Sequence, residues 1–212
     1  MFIHLIKKDI LIAKKYTVLV MIIGFVIPLF ISWRAPIYSE SLGFVLAVVF
    51  SEFMFCQNLS MKENQYSKAA ALLSATPYKR SEMVISKYIL FVLIFLYCII
   101  SYGIDILLFP QVGKFSISYI LVVFLITSSI YSVYIPIQYW MGYEKTKFFF
   151  IIILLAASFG LPALISHGNA DIVGLFEYPF FLAEGIALGV NIIIIIVSMV
   201  ISIKIYNKKD LA

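Results

Sequence analysis

Charge is scarce in this chain of 212 residues, because Asp, Glu, Lys and Arg make up only 13% of it while hydrophobic residues make up 63%. A water-soluble domain is typically about one quarter charged. Histidine and cysteine are also rare, with two of each. The composition therefore excludes an ordinary soluble domain and leaves little material for a metal site or a disulfide framework.

The apolar residues lie in continuous runs, and about 20 such residues in a row cross the hydrocarbon core of a bilayer. Six runs approach or exceed that length: Tyr16–Trp33, Ser41–Ser60, Met83–Phe109, Phe115–Met141, Phe148–Ser166 and Phe180–Ile203. The sequence predicts an all-α polytopic membrane protein with six transmembrane helices. We take residues 1–212 as a single transmembrane domain.

The basic residues predict the orientation of these spans. With six spans both termini lie on one side of the membrane, and all of the 16 Lys and Arg residues except Arg34 and Lys114 then fall on that side. Basic residues concentrate in cytoplasmic loops. Both termini and the 61–82 loop are therefore predicted to be cytoplasmic. The net charge of +5 follows from this topology and gives no indication of a nucleic-acid partner.

Residues 1–15 precede the first span and have an uneven helical wheel. Lysines and His4 cluster on one side, and apolar residues such as Ile6 and Ile10 lie on the other. Such a segment can lie as a helix in the inner interface of the membrane, with its lysines near anionic headgroups. The alternative is a plain basic flank that only sets topology.

The chain lacks the residues that most enzyme sites require. His4 and His167 fall on opposite sides of the membrane in this topology, which argues against a histidine metal cluster and a Ser/His relay. No glycine-rich phosphate loop followed by a lysine is present. We therefore predict no catalytic site, no metal site and no nucleotide site in this chain.

Several polar residues fall inside the predicted spans and are candidates for a transport pathway. Glu52 is foremost, since an ionisable group inside a membrane is costly and often functional. It is expected to be protonated, to face a wet cavity or to be reached by Lys87; the alternative is a packing role with hydrogen bonds to hydroxyls. The amide side chains are equally open to a role as interhelical hydrogen-bond partners: Gln57, Gln138 and Asn191.

The 61–82 segment is the one long polar interruption of the chain. Tyr66 to Ala75 has high helix propensity. Thr76 can cap a second helix that has Pro77 at its first position and leads into the third span. This pattern predicts a helix–turn–helix joined mechanically to the second and third spans. The alternative is a surface loop without a partner.

Three stretches resemble one known family: Leu72-Leu73-Ser-Ala-Thr-Pro77-Tyr-Lys-Arg80, Ser86-Lys87-Tyr88, and Ile135-Pro136-Ile-Gln-Tyr-Trp-Met-Gly142-Tyr-Glu-Lys145. They resemble the cytoplasmic loop and the end of the fourth span in ABC-2 type permeases, the membrane subunits of ATP-binding-cassette exporters. Within that family they are most similar to permeases of Gram-positive exporters for phenol-soluble modulins and antimicrobial peptides.

The resemblance implies a set of partners. Two ABC ATPase subunits would bind ATP and Mg²⁺, and a second permease chain would complete the pathway in a bacterial plasma membrane. The cargo would be an amphipathic or hydrophobic peptide. Residues of a coupling helix and its lead-in would transmit the ATPase movement: Glu63, Tyr66, Lys68, Ala70, Leu72, Leu73, Thr76, Pro77 and Arg80. The competing hypothesis is a stand-alone immunity or scaffold protein that binds a toxin peptide without ATP-driven turnover.

Overall fold

The computed structural model describes residues 2–36, 39–65, 79–113, 116–155 and 180–208. All regular structure in these residues is helical. A short 3-10 turn, Pro110–Val112, follows the fourth helix. The α-helices are α1 (Phe2–Ile12), α2 (Lys14–Arg34), α3 (Ser39–Gln65), α4 (Arg80–Leu108), α5 (Ile117–Met141), α6 (Tyr143–Leu155) and α7 (Phe180–Lys208).

Five of these helices are long and apolar enough to cross a membrane, at Lys14–Arg34, Leu42–Gln65, Arg80–Leu108, Ile117–Met141 and Leu188–Lys208. They correspond to the first four and the last of the six predicted runs. The remaining run, Phe148–Ser166, begins within α6, but its residues 156–166 lie outside the described ranges. An all-helical, multi-pass membrane fold is thus confirmed, and the sixth span stays a prediction.

The bundle consists of two closely packed helix pairs joined by α4. Helix α2 packs along α3, α5 packs along α7, and α4 contacts members of both pairs. Aromatic side chains fill the core between α3 and α4, where the ring of Phe44 lies 5.0 Å from that of Tyr102 and 6.0 Å from that of Phe95. Helix α4 is therefore the element through which the two pairs contact each other most extensively.

Pro28 lies inside α2 and leaves the carbonyl of Gly24 without its helical N–H donor, because proline has no backbone N–H. The hydroxyl of Ser101 on α4 lies 3.4 Å from that carbonyl and 3.1 Å from the carbonyl of Cys98, so its one proton is shared between the two acceptors. A Cβ on Gly24 would lie 3.0 Å from the ring of Tyr97 and 3.2 Å from the Ser101 hydroxyl. Glycine is therefore needed here so that α4 can approach the freed carbonyl.

Pro136 inside α5 also frees a carbonyl that a serine of another helix contacts. It frees the carbonyl of Ser132, four residues earlier. The hydroxyl of Ser198 on α7 donates to this carbonyl at 2.6 Å. Neighbouring helices commonly supply such replacement bonds in membranes, where water cannot. Each of these two prolines thus fixes its helix against a serine of another helix.

Helix α1 lies against the bundle. Leu5 and Ala13 are buried, and Ile6 and Ile10 pack against apolar residues of α3 and α4 that include Phe55. The apolar side predicted to face lipid therefore packs at least in part on protein. Apolar residues elsewhere on the helix are exposed instead, namely Ile3, Leu11 and Ile12.

The GxxxG pair of α7, Gly185 and Gly189, makes no close helix contact within the described chain. A Cβ placed on either residue would meet no heavy atom within 4 Å. The pair thus does not bring two described helices of this chain together. A second pair of small residues four positions apart, Ala156 and Gly160, lies outside the described residues.

Candidate functional site

An ion pair closes the base of the 61–82 loop. The ammonium of Lys87, in the second turn of α4, lies 2.5 Å from a carboxylate oxygen of Glu63 near the end of α3. The Lys87 side chain is 8% exposed and that of Glu63 is 35% exposed. Lys87 also lies 5.9 Å from the centroid of the Tyr139 ring at the end of α5, within the range of a cation–π contact. Lys87 therefore connects three helix ends.

Asp9 of α1 lies close to this ion pair. Its carboxylate is 1% exposed and pairs with Lys8 at 2.9 Å. It also lies 3.5 Å from the Ser86 hydroxyl, which donates as well to the carbonyl of Met83 at 2.9 Å. Burial raises the pKa of Asp9, while the positive charges of Lys87 and Lys8 oppose the rise. We call Asp9, Glu63 and Lys87 the loop-base cluster. It joins the N-terminal helix to the two helices between which the 61–82 loop runs.

Arg80 fixes the other end of the loop. Its guanidinium donates to the backbone carbonyl of Asn207, in the last turn of α7, at 3.2 Å. The adjacent Tyr206 hydroxyl contacts the sulfur of Met83 at 3.8 Å, and the Tyr206 ring lies 5.0 Å from that of Tyr139. The start of α4 is thus tied to the end of α7.

Glu52 lies at the middle of α3 and is 2% exposed. Neither of its carboxylate oxygens has a hydrogen-bond partner among the described residues. Lys87, one of the partners expected from the sequence, forms its ion pair with Glu63 instead. Glu52 borders a cavity of about 10 Å³, which has room for about one water molecule.

The other pathway candidates do not converge on Glu52. Gln57 is half-buried on α3. The amide of Gln138 donates to the hydroxyl of Ser60, and its oxygen accepts from the thiol of Cys56 at 3.9 Å. Gln138 therefore acts as a bridge between α5 and α3.

Asn191 belongs to a polar seam between α5 and α7, far from the loop base in sequence. Its side-chain oxygen accepts a hydrogen bond from the Ser128 hydroxyl at 2.5 Å, and the residue is fully buried. Further along the seam, Tyr88 of α4 bonds to Ser198 at 2.7 Å and to Ser202 at 3.0 Å. These contacts support the role of interhelical partner that the sequence left open for Asn191.

Of the residues that the family resemblance assigns to coupling, the structure describes Glu63 and Arg80, and both make the contacts given above. The others lie outside the described residues: Tyr66, Lys68, Ala70, Leu72, Leu73, Thr76 and Pro77. The predicted coupling helix therefore stays a prediction. What the structure adds is the attachment of both ends of its loop to the bundle.

Asp9 was not singled out from the sequence, although it lies on the apolar side of the helical wheel of residues 1–15. An acidic residue on the apolar side of an otherwise basic helix was the available signal, because it needs a positive or hydroxyl partner on whatever that side contacts. In the part of the chain that the structure describes, no group of three or more His, Cys, Asp and Glu residues is arranged to hold a metal ion.

Five apolar spanning helices with polar contacts at one end define a multi-pass helical membrane protein. A family model described as ABC-2 family transporter protein matches residues 4–207. The chain therefore belongs to the ABC-2 transporter family, whose members are membrane subunits of ABC transporters and work with an ABC ATPase. Neither the curated proteins nor the solved structures contain a match.

Proposed function

We propose that this chain is the permease subunit of an ATP-driven exporter for amphipathic or hydrophobic peptides, in the plasma membrane of a bacterium. Family membership supports the permease role. The choice of cargo rests on the resemblance of residues 72–80 and 135–145 to permeases of modulin and antimicrobial-peptide exporters. ATP and Mg²⁺ would be bound by two copies of a separate ATPase, and a second permease chain would complete the pathway.

The observation that carries this proposal is the attachment of the 61–82 loop at both of its ends. Glu63 at one end is paired with Lys87, and Arg80 at the other is bonded to the carbonyl of Asn207. Movement at the ends of this loop would be passed to α3 and α4 through the ion pair and to α7 through the Arg80 bond. An ATPase seated on the cytoplasmic loop would therefore move the spans directly.

The loop-base cluster would transmit the movement of the ATPases to the helices. In an apolar surrounding, removing one member of a buried ion pair leaves an uncompensated charge and is costly. The ends of α3 and α4 would therefore move together when the ATPases close, and α1 would follow through Asp9. Pathway opening would then come from rearrangement of these helices relative to the α5–α7 pair.

The test is co-expression of the chain with its ATPase, followed by purification and reconstitution into lipid vesicles. Replacing both Leu72 and Leu73 by Asp should abolish recovery of the ATPase, because two charges would enter an apolar docking surface. Lys87→Met should still bind the ATPase but lose cargo-stimulated ATP hydrolysis. Lys147→Met is the matched control, since Lys147 forms an exposed pair with Glu144 at 2.6 Å.

The outcomes separate the two hypotheses. A wild-type chain that recovers no ATPase and yet retains a toxin peptide would refute the exporter and favour a stand-alone immunity or scaffold protein. Recovery of the ATPase with hydrolysis stimulated by lipid or a small drug, and not by amphipathic peptide, would refute the peptide cargo alone.

A further inference from the structure

The carboxyl group of Glu52 is the one acidic group at the centre of a described spanning helix that lacks any polar partner among the described residues. It lies 13 residues from each end of α3, which is about 20 Å at 1.5 Å per residue. The two other carboxyl groups discussed above, on Asp9 and Glu63, both have positively charged partners. Glu52 therefore needs a separate explanation.

The cavity beside Glu52 is small and mostly apolar. Its volume of about 10 Å³ has room for about one water molecule. Two polar side chains, Lys87 and Tyr131, also line it. The remaining lining residues are Phe55, Cys56, Leu59, Leu90, Phe91 and Ile94.

Both polar neighbours are engaged elsewhere. The ammonium of Lys87 bonds to Glu63 at 2.5 Å. The hydroxyl of Tyr131 donates to the backbone carbonyl of Lys87 at 3.0 Å. The other titratable groups near Glu52 are the thiols of Cys56 on α3 and Cys98 on α4, and neither thiol carries a positive charge. No cation of α3, α4 or α5 is thus available to balance a charge on Glu52.

The dimensions and donors of the cavity select its ligand. A peptide or lipid headgroup does not fit a space of one water. Metal ions such as Ca²⁺ or Mg²⁺ need about six oxygen ligands, and here the lining side chains offer one carboxyl and one phenol. A proton needs only the carboxyl, and it removes the cost of a charge in an apolar surrounding.

We propose that Glu52 is a proton-binding site of the permease. While α3, α4 and α5 are packed as in this structure, the carboxyl holds its proton. When the cavity widens and admits more water, the carboxyl O–H bond breaks and the proton passes to a water molecule, leaving a hydrated carboxylate. The packing of α3 is then linked to proton release, independently of the cargo and of the ATPase.

Infrared titration of the purified permease in lipid nanodiscs tests this proposal, and it requires no ATPase. A protonated carboxyl has a C=O stretch that the carboxylate lacks. The wild type should show this band for Glu52 at neutral pH. At neutral pH the intensity of this band should fall in Glu52→Gln and stay unchanged in Glu144→Gln, which removes an exposed carboxylate of an ion pair.

Glu52→Asp keeps the carboxyl and should retain a titrating band at a shifted frequency, which guards against misassignment in a variant that folds poorly. A spectrum at neutral pH that is the same for the wild type and Glu52→Gln would overturn the proposal. Because the nanodiscs contain only the permease, this result would leave the exporter proposal standing, and loss of ATPase binding would leave the proton site standing.

Discussion

The α5–α7 seam and the α3–α4 interface differ in how their buried polar groups are arranged. Along the seam, Ser128 bonds to Asn191 and Ser198 bonds to the carbonyl of Ser132. At the α3–α4 interface, the middle of the contact contains Glu52 beside a cavity, with no hydrogen-bond partner for its carboxylate among the described residues, and an ion pair lies at the loop base. In lipid, interhelical hydrogen bonds fix helices in place. The seam is therefore held by hydrogen bonds between its helices, whereas the α3–α4 interface combines an ion pair at the loop-base end with aromatic packing around Phe44 further along.

The largest effect is expected from breaking the α3–α4 interface at that end. Lys87→Met removes the cation opposite Glu63 and Asp9. Breaking a fully buried pair costs about 3–5 kcal/mol. Since Glu63 is 35% exposed, we expect a loss of about 2 kcal/mol in the free energy of unfolding.

Thermal or SDS unfolding of the purified protein in detergent measures this loss. Lys147→Met should change it by less than about 0.5 kcal/mol, because that pair is exposed. Equal losses in the two variants would show that the loop-base cluster adds no stability of its own.

The next effect concerns the two prolines. Ser198→Ala removes a donor at 2.6 Å from the carbonyl freed by Pro136, and Ser101→Ala removes a donor at 3.4 Å from the carbonyl freed by Pro28. Interhelical hydrogen bonds in membranes are worth about 0.6 kcal/mol on average and up to about 1.7 kcal/mol. We expect Ser198→Ala to cost about 1 kcal/mol and Ser101→Ala less. The reverse order in unfolding experiments would contradict the idea that the α5–α7 contact is firmer than the α2–α4 contact.

Glu52→Leu, unlike the substitutions above, should not lower the free energy of unfolding. No described group loses a hydrogen bond when this carboxyl is removed, and Leu is apolar and of similar size. The unfolding free energy should stay within about 0.5 kcal/mol of the wild type or rise, since replacing buried polar groups by apolar ones of similar shape is often neutral or stabilising. A loss of more than about 1 kcal/mol would reveal a partner for Glu52.

The smallest effect is a pH dependence of α1 docking. Burial raises the pKa of Asp9, so docked α1 holds the Asp9 proton at a pH where undocked α1 has released it. The docking free energy should therefore weaken as the pH rises from the ordinary Asp pKa of 3.8 through the raised pKa of docked Asp9. Above that pKa it should no longer change with pH. Hydrogen–deuterium exchange of the α1 amides, corrected for the pH dependence of intrinsic exchange, measures this. Asp9→Asn should remove this change of exchange protection with pH. A change that persists in Asp9→Asn would show that another group titrates.

The spans were predictable because hydrophobic run length alone determines them. Five predicted runs appear as helices, and α7 begins at the predicted Phe180. The interhelical contacts were not predictable in the same way. Contact with Lys87 was one of three alternatives open for Glu52, whereas the structure pairs Lys87 with Glu63, because partner choice depends on how α3 and α4 are rotated about their axes. The serine partners of the two prolines likewise depend on which helices are neighbours, and hydropathy carries no such information.

The bond from Arg80 to the carbonyl of Asn207 joins positions 127 residues apart. Synthesis proceeds from the N-terminus, so the ion pair between Glu63 and Lys87 at one end of the 61–82 loop can form as soon as α4 has been inserted. The bond at the other end can form only after the end of α7 has left the ribosome. A nascent chain or one cut short before α7 therefore carries a loop that is anchored on one side only. Both ends of that loop can therefore be attached to the bundle only after α7 has been completed.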